Sequence, residues 1–398
     1  MTVWLHVIGV GEDGADGLAP AALSLIRDAD NVFGGDRHLD LLRPLLDGKK
    51  VTAWPSPFAA GLDLLETCRG RATVVLASGD PLWFGVGSSL LRRVSADEMA
   101  LVPAPSSFSL AAARMGWALQ DTTCISLHGR PVAALALHLA PGAQLLCLTS
   151  DATTVASAVD VLKAHGFGDS EVVVLGHLGG PAESRQPIDA PLLPDLNILA
   201  IRCVAQPGRQ PLSRVPGLPD EAFEHDGKMT KREVRAMVLS RLAPQPGQHL
   251  WDIGAGCGSV AVEWLRSGDR MRATGLEPHD ARRAMAARNA LHLGVPGLDL
   301  RPDTAPDGLA ELDAPDAIFI GGGVSDRAVV DAAWAALPVG GRLVANAVTV
   351  EGQMVLTAAW QDLGGDLSRI MLERAGPVGQ MNGWRASMPV MQWSVVRP

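Results

Sequence analysis

Asp252, Gly254, Gly256 and Gly258 follow one another at intervals of two, between a short apolar run, His249–Ile253, and an Ala/Val/Leu-rich stretch, Ser259–Arg266. That order predicts a strand, a glycine loop and a helix. The glycines let the backbone turn sharply and approach a ligand with no Cβ in the way, and the first amides of the helix point at whatever polar group sits there. A nucleoside cofactor held by Gly254, Ala255, Gly256, Cys257 and Gly258 suits this pattern; a loop that only turns the chain is the plainer alternative. Glu277 closes the next strand-like run, residues 273–277, and lies 25 residues after Asp252. A doubly wound sheet would put that carboxylate at the tip of strand two, where it can accept both hydroxyls of a ribose. Asp303, Thr304 and Ala305 follow a third strand, and Ala317–Ile320 is a fourth, ending in three glycines. Four strand tips then face one crevice.

Ahead of this loop, Thr230 with Glu233 reads as a capping box at a helix start. Lys228, Lys231, Arg232 and Arg235 crowd the same start, the positive end of a helix dipole, where cations are mildly unfavourable. An anion docking there would explain them, and a solvated face is the equal alternative. In the first half, Gly9, Gly11 and Gly14 satisfy G-x-G-x-x-G as a string, but Pro20 suits the first turn of a helix that opens only later. Gly79, Asp80 and Pro81 follow the strand-like residues 74–78, and Ser106 and Ser107 lead into an Ala-rich helix. Each serine reads as an N-cap before a nucleophile, since no G-x-S-x-G elbow surrounds it.

The elements that must hold these residues are bounded by length and composition. At 398 residues, 47% hydrophobic and 19% charged, the chain is an ordered globular protein of two or three domains. Its net charge of −9 argues against nucleic-acid binding. Five scattered cysteines without a C-x-x-C pair predict a reduced, cytoplasmic protein with no metal site. Residues 1–10 read as a first strand and not a signal peptide, and no run is long enough to span a bilayer. Prolines 207, 211, 216 and 219 mark a linker over residues 206–219, between domains at 1–205 and 220–398. In both domains short β-branched runs alternate with helical stretches, the rhythm of mainly parallel α/β sheets.

A nicotinamide dehydrogenase would want glycine or alanine where Ser259 stands. The series Asp252-x-Gly254-x-Gly256-x-Gly258 with Glu277 instead resembles motif I of Rossmann-like S-adenosylmethionine-dependent methyltransferases, whose extra antiparallel hairpin residues 341–348 and the runs near Ile370 and Val390 would supply. The N-terminal half resembles the tetrapyrrole (precorrin) methylases, a two-lobed α/β fold. Residues 33–42, 77–87 and 110–117 look like the cobalamin-pathway subfamily that methylates C5 of the macrocycle. From Gly217 through the Met-Thr-Lys segment to motif I, the C-terminal half is similar to the C15 methyltransferases that also decarboxylate. Glu12-Asp13 and Ala104 depart from the usual loops of these methylases, and His177 stands where the subfamily tends to be acidic.

Together the resemblances imply S-adenosylmethionine-dependent methylation of precorrin-6B at C5 and C15, with loss of the ring C acetate carboxylate, giving precorrin-8. They imply two S-adenosylmethionine sites. One holds Gly9, Gly11, Gly79, Asp80, Pro81, Ser106 and Ser107; the other holds Thr230, Asp252, residues 254–258, Glu277 and Ala305. Lys228, Lys231, Arg232 and Arg235 are the expected precorrin ligands, and a homodimer or homotetramer is the expected assembly. The resemblances name no catalytic residue, and no strong protein base is obligatory, because the reduced pyrrole nitrogen supplies the electron push.

Overall fold

The computed structural model describes residues 3–209 and 212–398. Gln210 and Pro211, which fall in the expected linker, and Met1 and Thr2 lie outside the described residues. The chain divides into two compact units: residues 1–132 with 138–209, and residues 133–137 with 210–398. Residues 206–209 and 212–219 form no helix or strand. No helix among the described residues is long and apolar enough to cross a membrane.

The first unit has two lobes. In one, β1 (Leu5–Val10), β2 (Asn31–Gly34), β3 (Lys50–Ala53), β4 (Thr73–Ser78) and β5 (Met99–Val102) form a parallel sheet in the order β3-β2-β4-β1-β5. β1, β2 and β4 are almost wholly buried runs, because helices cover both faces of a parallel sheet. The register places Val10 beside Ser78 and Ile8 beside Val102. The loops after β4, β1 and β5, which carry Gly79, Gly11 and Ser106, therefore leave from neighbouring strand tips. In the other lobe, β6 (Thr122–Ser126), β7 (Gln144–Leu148), β8 (Glu171–Gly176), β9 (Ser184–Pro187) and β10 (Asn197–Arg202) form a mixed sheet, β6-β7-β10-β8-β9. Pro20 opens the helix Pro20–Asp28, as its fixed φ favours.

The second unit is built on β11 (His249–Ile253), β12 (Arg272–Leu276), β13 (Asp299–Arg301), β14 (Ala317–Ile320), β15 (Arg342–Ala347), β16 (Asp366–Ile370) and β19 (Val390–Val396). Their order is β13-β12-β11-β14-β15-β19-β16, parallel as far as β15 and antiparallel beyond. The expected late antiparallel pair is thus present. β17 (Glu373–Val378) and β18 (Met381–Ala386), absent from the expected elements, form a separate two-stranded hairpin with Trp384 and Met381 exposed. Chain order reverses direction at β11, with β12 on one side and β14 on the other, which is where an open α/β sheet leaves a crevice at its carboxyl ends.

All eight residues of the helix Ser259–Arg266 are buried, so its two charged side chains must find partners inside. Glu263 accepts the amides of Gly217 at 2.6 Å and Leu218 at 2.9 Å, and Nε of Arg235 at 2.6 Å. Arg266 donates to the carbonyls of Leu293, Leu212 and Ser213, and burial pushes its guanidinium down to about 10.

These contacts correct two expectations. Arg235 is fully buried and is no ligand for a docking anion. Besides Glu263, it pairs with Asp220 at 3.2 Å and donates to the carbonyls of Thr230 and Leu218. The capping box does not form either. The helix is Arg232–Leu242 with Lys231 as N-cap and no side-chain cap. Arg235 holds Thr230 outside the helix by its carbonyl, Asp220 takes the Arg232 amide at 2.9 Å, and Glu233 turns to Arg374.

Removing one partner of a buried ion pair strands the other charge. We expect Arg235→Ala to lower the stability of this unit by about 3–5 kcal/mol in urea denaturation, and Lys231→Gln, whose side chain makes no such pair, to change it by under about 1 kcal/mol. An Arg235→Ala protein as stable as the parent contradicts the structural role.

Candidate functional site

In the second unit, β11 delivers its loop to the crevice. Gly254 and Ala255 donate to the Leu276 carbonyl, each at 3.0 Å, which welds the loop to the tip of β12. Gly254 has φ +74°, and a Cβ there would sit 2.6 Å from the backbone of Gly322 beyond β14. Gly256 has φ +58°, with only the Lys228 carbonyl at 3.8 Å near its missing Cβ. Gly258, at φ +77°, caps the buried helix and packs on Ala286. Glycine is required at all three by conformation.

Glu277 follows β12 and is 3% exposed. Its Oε2 accepts the Gly256 amide at 2.9 Å and its Oε1 the His279 amide at 3.0 Å. The carboxylate thus braces the glycine loop, and each oxygen has a second lone pair for a ligand. Asp252 is 1% exposed, with Oδ2 on the Ala261 amide at 3.1 Å and Oδ1 unpaired. Burial, reinforced by the charge of Glu277, pushes its carboxyl up to about 7. An orphaned buried oxygen beside a cradle that any Cβ would fill fits a bound nucleoside donor.

Asn289 was missed by the sequence reading. Its amide donates to the carbonyls of Cys257 at 2.9 Å and Glu224 at 2.8 Å, and accepts the Glu224 amide at 2.8 Å. It ties residue 224 to the glycine loop. The one available signal was an asparagine inside a helix, Asp280–His292, where it is unfavourable without such a duty. Lys228 and Arg232 are exposed and Lys231 half-buried, and none of the three forms an ion pair among the described residues. The Lys228 carbonyl lies against Gly256, so this cluster stands at the loop. Ala305 is half-buried after β13, whose last residue, Arg301, accepts the Glu277 amide at 3.0 Å.

The first unit contains a cavity of about 640 Å³ between the tips of β1, β4 and β5 and the ends of β7, β8 and β10. Gly11, Gly79, Ser106 and Ser107 line it. Gly9, Asp80 and Pro81 do not; they build its loops. A Cβ on Gly9 would fall 1.8 Å from the Gly79 carbonyl oxygen, Asp80 accepts the Leu82 amide at 2.8 Å, and the Pro81 carbonyl accepts the Gly87 amide at 2.9 Å. Ser106 is an N-cap, its Oγ accepting the Ser109 amide at 3.1 Å, in keeping with the structural reading of that residue.

One wall is aromatic: Trp83 and Phe84 stack obliquely on Phe108 at 5.4 and 5.7 Å, with the Arg130 guanidinium 5.5 Å over Phe84. Trp83 and Phe84 are 39% and 44% exposed, an apolar shelf for a flat ligand. Another part of the lining is polar. Glu12 bridges Arg37 and His177, and Arg37 and His38 both reach the Ser78 hydroxyl, at 3.0 and 2.9 Å. Burial first, then the charge of Arg37, pushes His38 down to about 4. None of Arg37, His38 or Trp83 was a candidate from spacing, because Arg37 and His38 follow β2 while Trp83 follows β4, and only the fold brings the two segments to one cavity.

Residues 4–189 match the family model of the tetrapyrrole (corrin/porphyrin) methylases, and residues 221–397 that of the precorrin methyltransferase domain. The chain is 48% identical over 396 residues to the precorrin-6Y C(5,15)-methyltransferase (decarboxylating) of Sinorhizobium sp., covering 98% of this chain and 96% of that one. It is 40% identical over 400 residues to the protein of the same description in Mycobacterium tuberculosis, at 98% and 99% coverage. A crystal structure of the C-terminal domain of precorrin-6Y C5,15-methyltransferase from Rhodobacter capsulatus is 46% identical, with a TM-score of 0.45, covering 47% of this chain and all of that one. With near-complete alignment on both sides, the chain belongs to the precorrin-6Y C5,15-methyltransferase (decarboxylating) family.

Proposed function

We propose that the chain methylates precorrin-6B at C5 and C15 with S-adenosylmethionine and removes the ring C acetate as carbon dioxide, giving precorrin-8 in cobalamin biosynthesis. The observation that carries this reading is that each unit has its own strand-tip loops packed backbone to backbone at glycines that leave no room for a Cβ. The donor, when bound, supplies an electrophilic methyl group on a sulfonium. Gly11, Gly79, Ser106 and Ser107 line its place in the first unit; in the second, residues 254–258, Asp252 and Glu277 hold it, with Thr230 and Ala305 at the margins.

The first unit serves C5, and the second serves C15 and the decarboxylation. The aromatic shelf of Trp83 and Phe84 supports the flat macrocycle and excludes water from the transfer, where alignment supplies most of the acceleration. Carbon dioxide leaves as its electron pair enters the conjugated ring, so no metal or lysine is required. The protein carries net negative charge and the precorrin rim is ringed by carboxylates, so local cations must offset the repulsion. Lys228, Lys231 and Arg232 do so; Arg235, being buried, serves them by holding the helix start. Self-association into a dimer or tetramer, in the cytoplasm, completes the reading, and the exposed Met381 and Trp384 on the β17–β18 hairpin favour it.

Mass analysis of the product from precorrin-6B and S-adenosylmethionine is expected to give two methyl increments and loss of CO2; one change without the other revises the assignment. Calorimetry with S-adenosylhomocysteine is expected to find two sites per chain. Gly256→Val removes one together with C15 methylation and decarboxylation, and Gly11→Val removes the other together with C5 methylation; loss of both activities from either change defeats the division of labour. Replacing Lys231 and Arg232 with Gln should weaken precorrin binding by roughly 1 to 3 kcal/mol per lost charged hydrogen bond and leave S-adenosylhomocysteine affinity near the parent's. The reverse pattern assigns the cluster to the cofactor, and no change assigns it to solvent.

A further inference from the structure

Three histidines line the cavity of the first unit. His38 is engaged: its Nε2 lies 2.9 Å from both the Ser78 hydroxyl and Arg37, and its proton affinity is depressed by burial. Among the described residues, His128 reaches only a backbone carbonyl, that of Thr149, at 3.3 Å. His177 differs from both. Its Nδ1 lies 3.1 Å from Oε2 of Glu12, whose Oε1 is held by Arg37, which is itself fixed on Ser78. The Glu12 side chain is 16% exposed and the His177 side chain 37%, so the carboxylate is sheltered while the ring opens on the cavity. His177 also has φ +44°, a conformation a non-glycine residue adopts only where its surroundings enforce it.

A carboxylate on Nδ1 selects the tautomer with the proton there. It leaves the lone pair on Nε2, which makes no hydrogen bond among the described residues. The same carboxylate stabilises the imidazolium once Nε2 is protonated.

We propose that His177, positioned by Glu12 and Arg37, accepts the proton that the macrocycle sheds on methylation in the first unit. This rests on the reading that this unit transfers a methyl group to C5. The new C–CH3 bond forms with a π pair of the macrocycle while the S–CH3 pair stays on sulfur, so the positive charge passes from sulfonium to macrocycle. The macrocycle returns to neutrality when a ring N–H gives its proton to Nε2 of His177 and the N–H pair stays with the ring; the imidazolium then releases the proton to water. No oxidant, reductant or further reactant is needed. Glu12 and Arg37 are positioning residues, and His38 keeps Ser78 and Arg37 in register.

The test uses the full chain with precorrin-6B and S-adenosylmethionine, following the methyl increments at C5 and C15 separately. His177→Ala is expected to slow C5 methylation by about 100-fold, with S-adenosylhomocysteine affinity within about twofold of the parent. C15 methylation and decarboxylation should proceed at the parent rate, and added imidazole should restore part of the C5 rate. Glu12→Gln is expected to lower kcat for C5 by about tenfold with KM for S-adenosylmethionine unchanged. An unchanged C5 rate in His177→Ala overturns the proposal. So does a loss matched by lost S-adenosylhomocysteine binding and indifferent to imidazole, or an imidazole-rescued loss found in His128→Ala instead. A parent chain that adds no methyl at C5 overturns the functional reading itself, and the proposal with it.

Discussion

The Gly79 carbonyl occupies the space where residue 9 would carry a side chain, and the backbone of Gly322 does the same to residue 254. Both crevices depend on this one steric constraint. Two loops leaving adjacent strand tips can touch backbone to backbone only if a Cβ is missing, and only then do their amides and carbonyls line a ligand in place of side chains. In the first unit the contact joins the tips of β1 and β4; in the second it joins β11 and β14, where the strand order reverses. The two sheets differ in strand order, yet each places its glycine contact at the carboxyl end of a central strand.

Charge in the second unit is divided by depth. Arg235 and Glu263 are inside, each meeting several hydrogen-bond partners, so that the burial of two ions is compensated by geometry. Lys228 and Arg232 remain outside, without carboxylate partners among the described residues. The inner pair fixes the turn from which the outer cations project, because Thr230 and Leu218 are held by their carbonyls on the Arg235 guanidinium. A basic cluster that reads as one patch in the sequence is therefore a structural arginine and three surface cations.

Local features of the chain were legible where one element and its immediate neighbour decide them. β11 and the helix after its glycine loop coincide with the apolar runs that foretold them, and the Ser106 cap and the Pro20 helix start follow from residue preference alone. What the spacing could not show depends on distant partners. Thr230 and Glu233 form a capping box in sequence, but Asp220 and Arg374 outbid that local arrangement. Glu12 and His177 are 165 positions apart and meet only because the tip of β1 and the end of β8 border one cavity. Asp80 and Pro81 share a motif with Gly79, which makes all three expected cofactor ligands, yet the atoms of Asp80 and Pro81 are spent on the loop's own turns. The family resemblance covers almost all of the chain, and two of the departures from it, Glu12 and His177, touch each other.

Asp252 has a thermodynamic consequence beyond its place in the glycine loop. Its carboxyl ionises near 3.8 in an open chain and near 7 when buried beside Glu277. Between those values the folded unit holds a proton that the unfolded chain has released, so refolding takes up hydrogen ions. The stabilising contribution is complete below about pH 4 and is lost as the pH rises through about 7. A ligand that offers a donor to the unpaired Oδ1 reverses that sign locally, expelling the proton as it binds, which makes occupancy of this crevice and the acidity of the medium two readings of one equilibrium.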